Sequence, residues 1–257
     1  MSVSTVLSHQ TIVRRLHDLE QKEGIRILYA CESGSRCWGF ASPDSDYDIR
    51  FIYVRHLEDY LSIEPVRDVI EEPVDDLWDL NGWDLGKALR LMKKSNSSLI
   101  EWLQSPIIYH EMTDFREAML QLAELHYDLA KLSNNYRGMA RGNYREYLTG
   151  TEVWLKKYLY VLRPLLACEW IEVNGTHPPA VFDELLAFAT ELHPTMVKET
   201  QELLIKKKQG LEKTYGPRLT AIDDYIQNQL AKPYCDLPTM EVNDAELNAF
   251  FRQWILQ

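Results

Sequence analysis

Apolar residues recur along this chain with two different periods, and the change of period divides it. Ile12, Val13, Leu16 and Leu19 fall at helical spacing within residues 9–23, and Gly24 is placed to end that helix. Ile25-Arg26-Ile27-Leu28-Tyr29-Ala30-Cys31 is a short, mainly apolar run that predicts a buried strand. After a Gly-Ser turn and a short helix, Asp46–Val54 predicts a second strand rich in β-formers. His56–Leu61 reads as a short helical connection. Val66–Glu72 predicts a third strand, broken by Pro73, and Asp76–Leu80 a short fourth. Gly82 and Asp84 then open a helix through Lys94, with Leu85, Ala88, Leu89 and Met92 as its apolar stripe. Ser98-Leu99-Ile100-Glu101 has the form of a capping box for another helix, which Pro106 ends.

From about residue 112 the pattern is helical throughout. Helices are predicted over 112–132, 135–148, 151–171, 181–192, 195–213, 218–231 and 243–256, with no strand among them. Pro164 is expected to kink the third of these or end it early. Asn174-Gly175 and Pro178-Pro179 mark loops. There is no internal repeat and no low-complexity segment. The expected organisation is a small α/β head over residues 1–110 and a helical domain over 111–257.

Composition narrows the setting. A chain of 257 residues can bury a sizeable core, and 46% hydrophobic with 26% charged residues is ordinary for a soluble globular protein. No apolar run approaches the roughly 20 residues that span a bilayer. Met1-Ser2-Val3-Ser4-Thr5-Val6-Leu7 lacks the charged and apolar regions of a signal peptide, so a cytoplasmic protein with no membrane partner is expected. Cys31, Cys37, Cys168 and Cys235 form no Cys-x-x-Cys and no zinc-finger spacing, and are read as reduced thiols.

A net charge of −11 argues against a protein that coats nucleic acid non-specifically. The charge is uneven, however. Lys131, Arg137, Arg141, Arg145, Lys156, Lys157 and Arg163 are opposed within their stretch only by Glu146 and Glu152. Tyr136, Tyr144, Tyr147, Trp154, Tyr158 and Tyr160 lie among them, which suggests a phosphate or nucleobase surface. Lys156, Tyr160 and Arg163 share one helix face and are the candidates for contact with nucleotide phosphates, against the plainer reading of a solvated basic face. Lys206-Lys207-Lys208 is read as simply exposed. Trp78, Trp83, Trp102 and Trp170 are read as core.

The candidate chemistry sits in Gly34-Ser35-Arg36-Cys37-Trp38-Gly39-Phe40, followed by Ser45-Asp46-Tyr47-Asp48-Ile49-Arg50. Asp46 and Asp48 are two residues apart, so on a strand they point to one face. Adjacent carboxylates repel unless a cation lies between them. Mg²⁺ is usually held by one or two carboxylates plus substrate phosphates. The Gly34-Ser35 turn offers N–H groups and a hydroxyl for phosphate oxygens, and Ser33 adds another hydroxyl. A plain loop reading of Asp46 and Asp48, after Pro43-Asp44-Ser45, competes with this. Asp48 lies beside Tyr47 and Ile49-Arg50-Phe51-Ile52, where an aspartate needs a reason. Arg36 and Arg50 are read either as triphosphate contacts or as salt-bridge partners that neutralise the acidic cluster.

These residues resemble the polymerase β-type nucleotidyltransferase superfamily, whose pattern is an apolar residue, Gly, Gly or Ser, a short helix, then two acidic residues separated by one apolar residue. Ala30-Cys31-Glu32-Ser33-Gly34-Ser35 fits the first half, with Glu32 or Ser33 where an apolar residue is more usual, and Asp46-Tyr47-Asp48-Ile49 fits the second. The run from Glu32 to Tyr53 is similar to a bacterial and phage group of nucleotidyltransferases associated with RNA ligases. Asp79–Leu89 and Ser95–Leu103 are similar to that group too, and the clear likeness covers about residues 25 to 110.

The resemblance implies a small mixed sheet with flanking helices, an α+β head followed by a mainly α-helical C-terminal domain. It implies transfer of an NMP from an NTP such as ATP to an acceptor hydroxyl, releasing pyrophosphate, with two Mg²⁺ (or Mn²⁺) ions. The ions would be held by Asp46, Asp48 and a third carboxylate. Asp75, Asp76, Asp79 and Asp84 are the candidates for the third; Asp79 matches the family position best, and Asp84 reads as a helix cap. Gly34, Ser35 and Arg36 would bind the nucleotide. An RNA 3′ end is one acceptor the resemblance suggests, while the −11 charge leans toward a small molecule or a protein side chain. A non-catalytic nucleotide-binding sensor or antitoxin-like module is the competing class. Glu32 and Glu101 are left without a role.

Overall fold

The computed structural model describes residues 8–43, 45–73, 78–208, 215–233, 237–240 and 242–257. The chain forms two compact units. The first comprises Met1–Cys37, Asp46–Tyr127 and Met240–Gln257, and the second Trp38–Ser45 and Asp128–Thr239. The first unit thus runs past residue 110 and also takes in the C-terminal helix, Asp244–Ile255. That helix carries Trp254, whose ring packs edge-on against the buried Phe115 at 4.8 Å.

In the first unit, α1 (His9–Glu23) begins at Ser8, whose hydroxyl accepts the Thr11 N–H, and ends at Gly24. There follow β1 (Ile25–Glu32), α2 (Gly34–Cys37), β2 (Tyr47–Arg55), α3 (Leu57–Tyr60), β3 (Val69–Glu71) and β4 (Trp78–Asp84). Then come α4 (Leu85–Lys93), α5 (Ser97–Leu103), β5 (Ile108–Glu111) and α6 (Phe115–His126). The strands form one sheet in the order β3-β4-β2-β1-β5. Only β2 and β4 run parallel, so the sheet is mixed and the fold α+β, as expected.

Alternation along β2 puts Tyr47, Ile49, Phe51 and Tyr53 in one core with Ile12, Leu16 and Leu19 of α1. Asp48 and Arg50 therefore point to the opposite face. Gly82 lies across from Phe51 in the β2–β4 register, and a Cβ there would stand 2.0 Å from the Phe51 ring.

Several boundaries differ from expectation. β4 continues through Gly82 to Asp84, where a helix start was expected, because parallel pairing with β2 overrides the turn character of Asn81-Gly82. Asp84 does cap the next helix, accepting the Gly86 N–H at 2.8 Å. The cap of α5 is Asn96, which accepts the Leu99 N–H, and not Ser98. β5 was not expected; four residues are too few to show a period.

The second unit holds α7 (Leu129–Tyr147), β6 (Glu152–Trp154), α8 (Lys157–Asn174), α9 (Phe182–Ala189), α10 (Pro194–Lys208), β7 (Tyr215–Pro217) and α11 (Thr220–Ala231). It is not purely helical: β6 and β7 pair antiparallel. Asp128 caps α7 through the Lys131 N–H, which starts that helix at 129 instead of 135. Pro164 does not end α8, whose Leu159, Val161, Leu162, Leu165 and Leu166 are all buried. Burial on that scale outweighs the roughly 3 kcal/mol that a proline costs inside a helix. Lys207 is buried, its ammonium 5.1 Å from the Phe40 ring, while Lys206 and Lys208 are exposed as expected. Among the described residues no helix is long and apolar enough to cross a membrane.

Candidate active site

The site is built where β1 turns into α2 and where β2 and β4 begin. Asp48 and Asp79 are register partners across the parallel pair, on the sheet face opposite the α1 core. The turn after β1 folds over the start of β2, with the Ser33 N–H donating to the Asp48 carbonyl at 2.8 Å. Gly34, at φ +56°, lies so close to Asp48 that a Cβ would stand 1.9 Å from Oδ2. Any larger residue there would displace the carboxylate. Ser35 is buried in α2.

Arg50 lies between the two carboxylates. Its Nη2 donates to Asp48 Oδ1 at 3.1 Å and to Asp79 Oδ2 at 2.6 Å, and its Nη1 to the Asp79 carbonyl at 2.7 Å. Of the two readings for Arg50, this geometry is that of a salt-bridge partner. Burial raises the Asp48 carboxyl above its ordinary value; Asp46 and Asp79 push the same way, and Arg50 and Arg36 oppose them. Asp46 precedes β2, is exposed, and its backbone carbonyl accepts from Arg36 Nε at 3.1 Å. The Arg36 guanidinium also stacks 3.8 Å over the Tyr47 ring. Of the other candidates for a third carboxylate, Asp75 and Asp76 lie outside the described residues. Asp84 lies at the far end of β4, fixed by Tyr60 at 2.6 Å and by the Gly86 N–H.

Glu32 has a part in the site that the sequence left unassigned. It is fully buried; Oε1 accepts the Asp48 N–H at 2.8 Å and Oε2 accepts the Tyr109 hydroxyl at 2.5 Å. Burial lifts its carboxyl to about 7, against these two bonds, which favour the charged form. The available signal was a charged residue closing the apolar run of β1; its partner Tyr109, on the unexpected β5, gave none.

The basic-island residues belong to the second unit. Lys156 immediately precedes α8 and lies 4.3 Å over the Trp154 ring, and Tyr160 meets Trp38 edge-on at 5.6 Å. Arg163 is buried, with its guanidinium 4.2 Å over Trp38, so a surface face is left to Lys156 and Tyr160. Arg137 is also internal, donating to the Lys232 and Pro233 carbonyls and to Glu172.

Among the described residues no three His, Cys, Asp or Glu side chains gather closely enough to hold a metal alone. Asp48 and Asp79 do fit a hard cation of the Mg²⁺ kind, which takes one or two carboxylates and completes its shell with substrate phosphates. The same two oxygens already share the positive charge of Arg50.

A Gly-Ser turn against a carboxylate pair on a small mixed sheet is the arrangement of a polymerase β-type nucleotidyltransferase. The chain belongs to the RNA repair pathway DNA polymerase beta family (RlaP), which it matches over residues 8–253. It is 47% identical over 225 residues to the "Uncharacterized protein YcgL" of Bacillus subtilis (strain 168), covering 87% of this chain and 85% of that one. A nucleotidyltransferase-like protein from Exiguobacterium sibiricum 255-15 is a structural neighbour at TM-score 0.32 and 12% identity, covering 85% of this chain and 75% of that one. At that score the likeness adds nothing to the assignment.

Proposed function

We propose that this protein transfers an NMP from an NTP to an acceptor hydroxyl with a divalent metal, releasing pyrophosphate, and that the acceptor is an RNA 3′ end. The observation that carries the reading is the register pair Asp48–Asp79 with the Gly34 turn pressed against Asp48. In this reading Asp48 and Asp79, with Asp46 at the strand entrance, hold Mg²⁺ or Mn²⁺. When bound, such an ion supplies charge neutralisation at the triphosphate and lowers the pKa of a bound hydroxyl. The Gly34-Ser35 turn and Arg36 receive the phosphates. Arg50 keeps the two carboxylates oriented until substrate arrives. Glu32 fixes the backbone of Asp48. The acceptor class rests on the RNA repair pathway of the family to which the chain belongs.

The test is transfer of label from each of four α-³²P-NTPs, with Mg²⁺ or Mn²⁺, to RNA, protein and small-molecule acceptors. Wild type should label RNA, and Asp48→Asn should not. Label on a protein or small molecule alone would replace the acceptor. NTP binding without transfer to anything would favour the non-catalytic module, a reading to which the Arg50 bridge lends a specific observation.

A further inference from the structure

The second unit carries a surface that the proposed chemistry does not use. On the β6–β7 ribbon, Trp154 and Tyr215 are directly opposite each other, so they share a face. Their rings lie 6.2 Å apart and within 13° of parallel. Tyr147, at the end of α7, meets Trp154 edge-on at 6.0 Å. Two ammonium groups lie over these rings. Lys156 Nζ is 4.3 Å from the Trp154 centroid, and Lys157 Nζ is 3.8 Å from Tyr147, 5.3 Å from Trp154 and 5.0 Å from Tyr160. Tyr215 is 64% exposed.

Neither lysine forms an ion pair among the described residues, unlike Lys87, Lys93, Lys131 and Lys232. Burial and the neighbouring Lys156 hold Lys157 below its usual range, and Glu146 offsets part of this. Two adjacent cations over aromatic rings form a positive patch on a chain of net charge −11. An anion with π-faces of its own is the complement. A surface of successive rings suits a strand better than a mononucleotide, because each base brings both a face to stack and a phosphate to pair.

We infer that the ribbon face formed by Tyr147, Trp154, Tyr215, Lys156 and Lys157 binds single-stranded nucleic acid. Bases stack on the rings and phosphates meet the lysines. Stacking of this kind tolerates sequence, and the phosphate contacts make affinity fall with salt. The acceptor role of the strand, though not its binding, rests on the nucleotidyl-transfer reading.

The test is fluorescence anisotropy with the full chain and labelled 12-mers, run in EDTA so that metal and turnover are out of play. Single-stranded RNA, the same sequence as DNA, and a blunt RNA duplex are compared at low and moderate salt. Single strands should bind and the duplex should bind more weakly. Tyr215→Ala and the Lys156→Ala/Lys157→Ala pair should each weaken strand binding about tenfold or more. The lysine pair should also reduce the salt dependence by about one ion released. Circular dichroism checks that both variants fold. Unchanged strand affinity in both variants, or duplex preferred over strand, overturns the inference. So does a raised KM for NTP with strand affinity intact, or a wild-type dimer that only the variants dissolve. Strand binding that survives in Asp48→Asn, beside lost or absent transfer, upholds the surface whatever becomes of the catalytic reading.

Discussion

Asp48 meets Arg50 on its own strand, Asp79 across the sheet, and Gly34 from the turn above, while Glu32 holds its N–H. The sequence singled out Asp48 and the turn because those residue types are conspicuous in their setting. It placed Asp46 on the strand beside Asp48, whereas Asp46 precedes β2 and is exposed, and the register partner of Asp48 is Asp79. Glu32 and Tyr109 were not legible, since their meaning lies in a contact across 77 residues of chain. Two predictions belong at this scale. Asp79→Asn should cut transfer about a thousandfold, several kcal/mol of barrier, with little change in Tm. Asp84→Asn should leave kcat and KM near normal, because asparagine also caps and the position lies roughly 17 Å along the strand. Loss of activity in Asp84→Asn alone would reverse the assignment. The second prediction concerns Glu32, whose folded-state carboxyl at about 7 lies above its ordinary value of 4.5. The native state then holds the proton more tightly than the unfolded chain. This stabilises the fold fully below the unfolded value, and the contribution is lost as pH rises through about 7. Glutamine does not titrate, so the Tm of wild type relative to Glu32→Gln should fall steadily across that window. A difference that stays flat with pH would show that Glu32 titrates normally.

At the scale of elements, the pattern of apolar positions gave α1, β1, β2 and α4 nearly in full, because α1 and α4 each bury one stripe, β1 is a continuous buried run, and β2 alternates before a buried end. It lost β5, β6 and β7, which have four, three and three residues and are held by pairing more than by pattern. It also lost the end of β4, where Asn81-Gly82 has the composition of a turn. The structure gives Gly82 a different purpose: it leaves room for the buried Phe51 ring directly opposite. Gly82→Ala should therefore cost about 1–3 kcal/mol by overpacking. Gly82→Ala combined with Phe51→Leu should cost less than the sum of the single changes, because the smaller side chain relieves the clash. Urea midpoints for the four proteins of that cycle decide the point; strictly additive losses would mean that the two positions do not meet.

At the scale of the molecule, the texture of the chain suggested a head that ends near residue 110, with everything after it forming a second body. The structure instead returns the last residues to the first unit. A sequence pattern shows that a helix has an apolar face but not which partner covers it. For the C-terminal helix the partners are specific. Trp254 is 4% exposed against Phe115, the Trp254 carbonyl accepts from Arg26 at 2.6 Å, and Asp244 pairs with Lys93 at 2.7 Å. Glu246 pairs with the buried His126 at 3.0 Å. The exposed Asp244–Lys93 pair adds little, so the weight falls on the aromatic contact. Removing a buried Trp side chain costs about 3–5 kcal/mol, a large part of the stability of an ordinary domain. A fragment of residues 1–127 should therefore be soluble and cooperatively folded only when a peptide of residues 240–257 is supplied. Trp254→Ala in the full chain should lower the denaturation midpoint of the first unit, read by hydrogen exchange in β1 and β2, and leave α8 protected. If the 1–127 fragment melts cooperatively without the peptide, or if exchange in β1 and β2 is unmoved by Trp254→Ala, the C-terminal helix is an accessory to that unit and not part of its core.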